Sequence, residues 1–280
     1  MSTSQTSTPT PRPQRSSATK PLMILFAIIG GVTLLAILLT TVFASVIGLS
    51  RGSATLTANT SDITSLDVDA SASRFNLEFD DVTEATLETS GLNATRWDMH
   101  RNGDELVVEA PSRWASWCIF TCDNGDNQVT LTLPEELNDG SLNAELGLNA
   151  GRLFADGDFD TLSVELNAGE VNVNGTTRAL DAELNAGSAN LNLADVDTAN
   201  FEVAAGRLAA ELTGSAPTTT DIEVNAGRLL LTLPNDSYTV TSDVAAGMLD
   251  NQLGNDATAA NSIAVEVAAG NVTLQPGATP

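Results

Sequence analysis

Between Leu142 and Leu274 apolar residues fall on every second position, the period of a half-buried strand, and the phase of that alternation slips by one residue at a recurring Ala-Gly step. Seven versions of the pattern follow one another: LGLNAGRLFA, VELNAGEVNV, AELNAGSANL, FEVAAGRLAA, IEVNAGRLLL, SDVAAGMLDN and VEVAAGNVTL. Their central glycines are Gly151, Gly169, Gly187, Gly206, Gly227, Gly247 and Gly270, spaced 18, 18, 19, 21, 20 and 23 residues apart. A period of that size marks an architecture of stacked repeats.

In the second copy Val164, Leu166 and Ala168 alternate up to the glycine, and Val171 and Val173 hold the apolar places beyond it. A phase slip at a fixed place predicts a corner between two strands. Glycine suits such a corner because it accepts positive φ, and the alanine before it lets backbones approach. Asp156-Gly157, Asn174-Gly175, Thr213-Gly214, Pro234-Asn235 and Pro276-Gly277 supply turn signals that close the coils. The expected fold is all-β: a single-stranded β-solenoid with coils of about 18–23 residues, preceded by one transmembrane helix. Neighbouring coils would pair in parallel, about 4.8 Å apart, around stacked aliphatic columns. The regular period separates this expectation from an antiparallel sandwich.

The remainder of the chain divides by composition. Residues 1–21 are polar and basic, with Arg12, Arg15 and Lys20, and read as a disordered cytoplasmic tail. Residues 22–49 carry no charge, and at about 1.5 Å per residue they exceed the hydrocarbon layer of a membrane. The basic residues ahead of this span place the N-terminus in the cytoplasm and the remainder outside. The competing reading is a signal peptide cleaved after Ala44, against which the length of the apolar run argues. Residues 50–64 read as a linker. Residues 65–141 read as an irregular first part of the solenoid, 142–275 as the regular repeat and 276–280 as a tail. Ser65–Ala72 reads as a degenerate copy with Ser71 in the glycine's place and Asp67 as its acidic position. Trp97, Trp114, Trp117 and Phe120 gather in the irregular part, where a solenoid needs a cap.

Charge narrows the function. All 36 acidic residues lie beyond residue 50, against nine arginines there, which leaves a formal −27 outside the membrane. Such a surface excludes nucleic acid as a partner and favours cations or basic surfaces. Cys118 and Cys122, the two cysteines, read as a local disulfide outside the cell. A zinc site would want more ligands than these two and the single His100 provide.

The strand QVTLTLPEEL ending in Leu-Pro, its echo LLLTLPND, and rungs of the VELNAGEVNV type behind an N-terminal span resemble the bacterial DUF4097 family of adhesin-like proteins. The resemblance covers about Ser65 to Leu274. It implies a β-solenoid exposed at the cell envelope and carries no catalytic residues with it.

Candidate chemistry is sparse. The position four before each corner glycine reads Gly147, Glu165, Glu183, Glu202, Glu223, Asp243 and Glu266, an outward file of carboxylates. Glu165, Glu183, Glu202 and Glu223 are the candidates for weakly gathering divalent cations; no other cofactor is expected. Arg152, Arg207 and Arg228, just after their glycines, are the candidate counter-charges. Asp156, Asp158 and Asp160 resemble the opening of a calcium loop without its later glycine and glutamate. The expectation is therefore a non-enzymatic envelope module with a protein or glycan partner. A sensor or regulator working with other membrane proteins is the alternative, and a polysaccharide-cleaving β-helix a remote one.

Overall fold

A computed structural model describes residues 52–91, 94–110 and 127–277. The expected tail and span at 1–21 and 22–49, the Cys118–Cys122 pair and residues 278–280 lie outside the described residues. Among the described residues no helix is long and apolar enough to cross a membrane.

The described residues hold seventeen strands. They are β1 (Gly52–Ala58), β2 (Ser65–Asp80), β3 (Ala85–Gly91), β4 (Asp98–Asn102), β5 (Glu105–Glu109), β6 (Gln128–Pro134), β7 (Leu142–Leu166), β8 (Glu170–Leu184) and β9 (Ser188–Ala194). There follow β10 (Thr198–Val203), β11 (Arg207–Thr213), β12 (Thr219–Val224), β13 (Arg228–Leu233), β14 (Tyr238–Val244), β15 (Met248–Asn251), β16 (Asn261–Val267) and β17 (Asn271–Pro276). The alternation dictates the packing. In β12, for example, Thr220, Ile222 and Val224 are buried while Thr219, Asp221 and Glu223 are exposed.

Coils stack in parallel along two faces that meet at the Ala-Gly corner. Before the corner, the Thr161–Leu166 end of β7 pairs with the Ala179–Leu184 end of β8, which pairs with β10, which pairs with β12. After the corner, β8 pairs with β9, β9 with β11 and β11 with β13. One aliphatic column runs Val164, Ala182, Phe201, Ile222, Val265, all buried, and sets the one large ring beside the smallest side chain.

The stack does not follow sequence order to its end. The fifth copy, β12 and β13, pairs with β16 and β17, the seventh copy. The sixth copy, β14 and β15, pairs only onto the seventh and forms the outermost rung. Side chains explain the exchange. At their inward positions the seventh copy carries Val265, Val267, Val272 and Leu274, each at most 3% exposed. The sixth copy offers Ser242 and Asn251 instead, leaves Val244 37% exposed and buries Leu249 only in part. A rung needing two buried faces takes the aliphatic copy, and the polar one serves as a lid. The return segment closes part of the open edge: Val240 N–H donates to Asn255 Oδ1 at 3.1 Å, Asn255 Nδ2 donates to Val240 C=O at 3.0 Å, and Asp256 N–H donates to Tyr238 C=O at 2.9 Å.

The other end is capped by reversing strand direction. β2 pairs in parallel with β7 on one side and with β5 and β6 on the other. Beyond these, β4 pairs antiparallel with β5, β3 antiparallel with β6 and β1 antiparallel with β3. The expected linker at 50–64 is therefore corrected: Gly52–Ala58 is a strand of the fold.

Three further expectations need correction. The first coil's corner falls at Ser73, opposite Gly151, and not at Ser71; a register shift with Ala72 at φ 51° accounts for the difference. Its acidic position is accordingly Asp69, opposite Gly147. Asp156-Gly157 and Asn174-Gly175 are not turns but lie within the unbroken strands β7 and β8, where a Cβ on Gly175 would sit 1.7 Å from the Gly157 carbonyl oxygen. Positive φ, between 112° and 121°, occurs at Gly151, Gly169, Gly187 and Gly206 but not at Gly227, Gly247 or Gly270. Crowding is what all seven share. A Cβ on Gly169 would lie 2.2 Å from the Gly151 oxygen, and one on Gly227 would lie 2.3 Å from Val203 Cγ1.

Candidate functional site

The acidic file exists. Strand register places Glu165 beside Glu183, Glu183 beside Glu202, Glu202 beside Glu223, Glu223 beside Glu266 and Glu266 beside Asp243, every one of them exposed. At a strand spacing of about 4.8 Å, unscreened neighbours would repel by roughly 1 kcal/mol per pair even in water. Arginine does not relieve this. Arg152 pairs with Glu170 at 3.2 Å, on the other side of the corner.

For Glu165, Glu183 and Glu223 relief comes from the asparagine two residues on, a feature of the Asn-Ala-Gly copies that charge and alternation alone do not reveal; Glu202 and Glu266 have Ala204 and Ala268 at that place. Asn167 Nδ2 donates to Glu165 at 2.8 Å, Asn185 to Glu183 at 2.9 Å and Asn225 to Glu223 at 3.2 Å. Asn149 donates likewise to Asp69 of the first coil, at 2.7 Å. The same amides form a ladder up the stack, Asn167 to Asn149 at 3.4 Å and Asn185 to Asn167 at 3.2 Å. Amide dipoles thus take up carboxylate charge without a counter-ion. The file stacks but does not converge: among the described residues no group of three His, Cys, Asp or Glu is placed to hold a metal ion, the file of Glu165, Glu183, Glu202 and Glu223 included.

Asp156, Asp158 and Asp160 are likewise spread along one strand, and each is matched to the next coil. Asn174 donates to Asp156 at 2.6 Å, Thr176 to Asp158 at 2.8 Å, and Arg178 forms an ion pair with Asp160. This is a ladder between rungs and not a calcium loop. His100 lies on the exposed strand β4 with Nδ1 3.1 Å from Asp98. Asp67, half-buried in β2, has its carboxyl held above the ordinary range, chiefly by burial and then by Glu145, Glu105, Asp69 and Glu109.

Two surface grooves follow the stack. One, of about 430 Å³, lies on the acidic face among Asp221, Glu223, Asp243 and Glu266. The larger, of about 670 Å³, runs over the glycine column from Gly169 to Gly270 and is flanked by Arg207 and Arg228. Register sets these two arginines side by side. Neither makes an ion pair or side-chain hydrogen bond among the described residues, unlike Arg152 and Arg178.

Residues 63–277 match the family described as Toastrack DUF4097. Among solved structures the chain is similar to a "putative adhesin" from Bacteroides fragilis NCTC 9343, at 12% identity over 81% of this chain and 98% of that one, with a TM-score of 0.53. It is also similar to a "putative cell adhesion protein" from Clostridium sporogenes ATCC 15579, at 11% identity over 81% and 100%, TM-score 0.37. A third is a "putative lipid binding protein" from Parabacteroides distasonis ATCC 8503, at 13% identity over 79% and 96%, TM-score 0.36. The likeness to the Bacteroides fragilis protein is one of fold. No curated protein matches the chain.

Proposed function

The chain belongs to the Toastrack DUF4097 family, and from that premise we propose that it is a non-enzymatic, membrane-anchored surface module that binds partners outside the cytoplasm. The observation that carries this reading is its outer face: an in-register file of exposed carboxylates, repeated rung by rung on a closed aliphatic core. Such a face offers many equivalent contacts and suits recognition of an extended basic or polyvalent surface. The adhesion role ascribed to the Bacteroides fragilis protein of like fold supports it. The uncharged stretch at 22–49, with basic residues ahead of it and acidic ones behind, supplies the anchor and its orientation.

The test is topological. On intact cells, a cysteine at Ser4 is expected to escape an impermeant thiol reagent while external protease sheds the repeat. Labelling at residue 4 would reverse the orientation, and a mature chain beginning at Ser45 would replace the anchor by a signal peptide.

One observation favours a second reading, a regulator held beside membrane partners. β1 begins at Gly52, so in sequence only Ser50 and Arg51 part it from the apolar stretch that ends at Leu49. Recovery of membrane proteins of the same cell with the tagged chain would favour the regulator. Binding of the chain to a second cell or a matrix would favour the adhesin.

A further inference from the structure

We infer that Arg207 and Arg228, with the groove they flank, form a binding site for a linear acidic glycan, one whose sugars carry carboxylates. This rests on the reading of the chain as an exposed interaction module. The starting point is the place two residues beyond each corner alanine, which reads Arg74, Arg152, Glu170, Ser188, Arg207, Arg228, Asn271 and Met248 up the stack. Arg152 is answered by Glu170 beside it. Arg207 and Arg228 are adjacent like charges with Ser188 and Asn271 as their outer neighbours, so that segment of the column holds two guanidinium groups and no carboxylate. In a chain with 36 acids, two neighbouring cations without an anion stand against the general charge balance.

The groove gives the ligand its shape. Its floor is the glycine column, exposed at Gly169, Gly187 and Gly206, where no side chain stands between backbone and solvent, so a sugar ring can approach closely. It crosses five rungs, from Gly169 to Gly270, about 19 Å at the usual strand spacing. That spacing is close to the length of one sugar in a linear polymer, so consecutive sugars fall opposite consecutive rungs. Carboxylates on neighbouring sugars would then meet Arg207 and Arg228 in turn, each through a two-pronged guanidinium contact. Ser188 and Asn271 flank the pair with groups that bond hydroxyls. The chain's net negative charge opposes any polyanion at long range, but that field is screened within about 8 Å at physiological salt, which weakens direct guanidinium–carboxylate contacts less than it weakens the distant repulsion.

The experiment is calorimetric titration of the full chain in detergent micelles, at physiological ionic strength, with a linear oligogalacturonate. Saturable binding is expected, and Arg207→Gln with Arg228→Gln should weaken it at least tenfold. Arg178→Gln, whose arginine is paired with Asp160, should leave it unchanged. The unfolding midpoint of the double variant should equal or exceed that of the parent, because a repulsion is removed. Should the double variant fail to fold, Arg228→Lys, which keeps the charge and loses the fork, should weaken binding at least threefold. Equal binding by the double variant, equal loss with Arg178→Gln, or equal affinity for a neutral galactan or for inorganic phosphate would each overturn the site. A chain shed from the cell surface by protease that ignores oligogalacturonate would sink this site while leaving the surface-module reading intact.

Discussion

Asn185 donates its side-chain amide to Glu183 at 2.9 Å, two residues back along the same coil. The same nitrogen lies 3.2 Å from Asn167 of the coil below, so one side chain ties a carboxylate to the stack. Asn185→Leu, which deletes both bonds, is expected to lower stability by about 1–2 kcal/mol in urea unfolding. Asn185→Asp should cost more, since it adds a charge where one is being answered. Equal stability of all three proteins would remove the asparagine ladder from the account.

Gly169 combines a φ of 121° with backbone of the next rung 2.2 Å from where a Cβ would stand. Alanine alone is therefore expected to destabilise by more than about 2 kcal/mol, from left-handed strain plus forced separation of two rungs. Gly227→Ala should also be damaging, although its φ is ordinary, because the added carbon meets Val203. Glu170→Gln, next to Gly169 but in an exposed ion pair, should change the midpoint by no more than a few tenths of a kcal/mol. A Gly227→Ala protein as stable as the parent would show that crowding is not the common cause.

Asp67 makes the pH dependence specific. An acid whose pKa is higher in the folded state than its ordinary value of 3.8 opposes folding once ionised, because the native state favours the bound proton. Its penalty is absent well below that value and grows as pH rises through the folded pKa. Asp67→Asn should thus raise the melting temperature at pH 7, with the gain shrinking to nothing by about pH 3. A gain that persists unchanged at low pH would point to some effect other than ionisation.

The exchange of the last two rungs is open to direct chemistry. With Cys118 and Cys122 replaced by serine, Glu223→Cys paired with Glu266→Cys places thiols on adjacent rungs and should oxidise readily to a disulfide. Glu223→Cys paired with Asp243→Cys places them two rungs apart, about 10 Å, beyond the reach of that bond. Faster closure of the second pair would restore sequence order to the stack.

Much of this was legible in the residues, for identifiable reasons. A two-residue period broken at a fixed Ala-Gly step encodes strand, corner and strand locally, and with them the parallel register of Glu165, Glu183, Glu202 and Glu223. The corner at Ser73 escaped because a single positive-φ residue, Ala72, shifts the count and leaves no mark in the alternation. Rung order escaped because pairing between copies of near-identical pattern is non-local. The clue was compositional, in Ser242 and Asn251 at places where the other copies put apolar side chains. β1 was passed over because Gly52–Ala58, with its alternation of small and hydroxylated residues, is that of an edge strand and carries little apolar signal. The LNAG asparagine was in plain view, and only the contact to glutamate showed what it answers.

Since β16 and β17 sit between the fifth and sixth copies, biosynthesis delivers the outer lid before the rung beneath it. Until β16 and β17 have left the ribosome, Ile222, Val224, Leu229 and Leu231 await a cover that the sixth copy is poorly equipped to give. The final segment must then enter between rungs already made, or the sixth copy must stand aside until it arrives. A stop codon near Gly254 would accordingly remove a keystone and not a trailing coil, stranding a polar lid over an apolar edge. Nonsense and frameshift changes that remove only β16 and β17 should therefore unmake the fifth copy's cover as well.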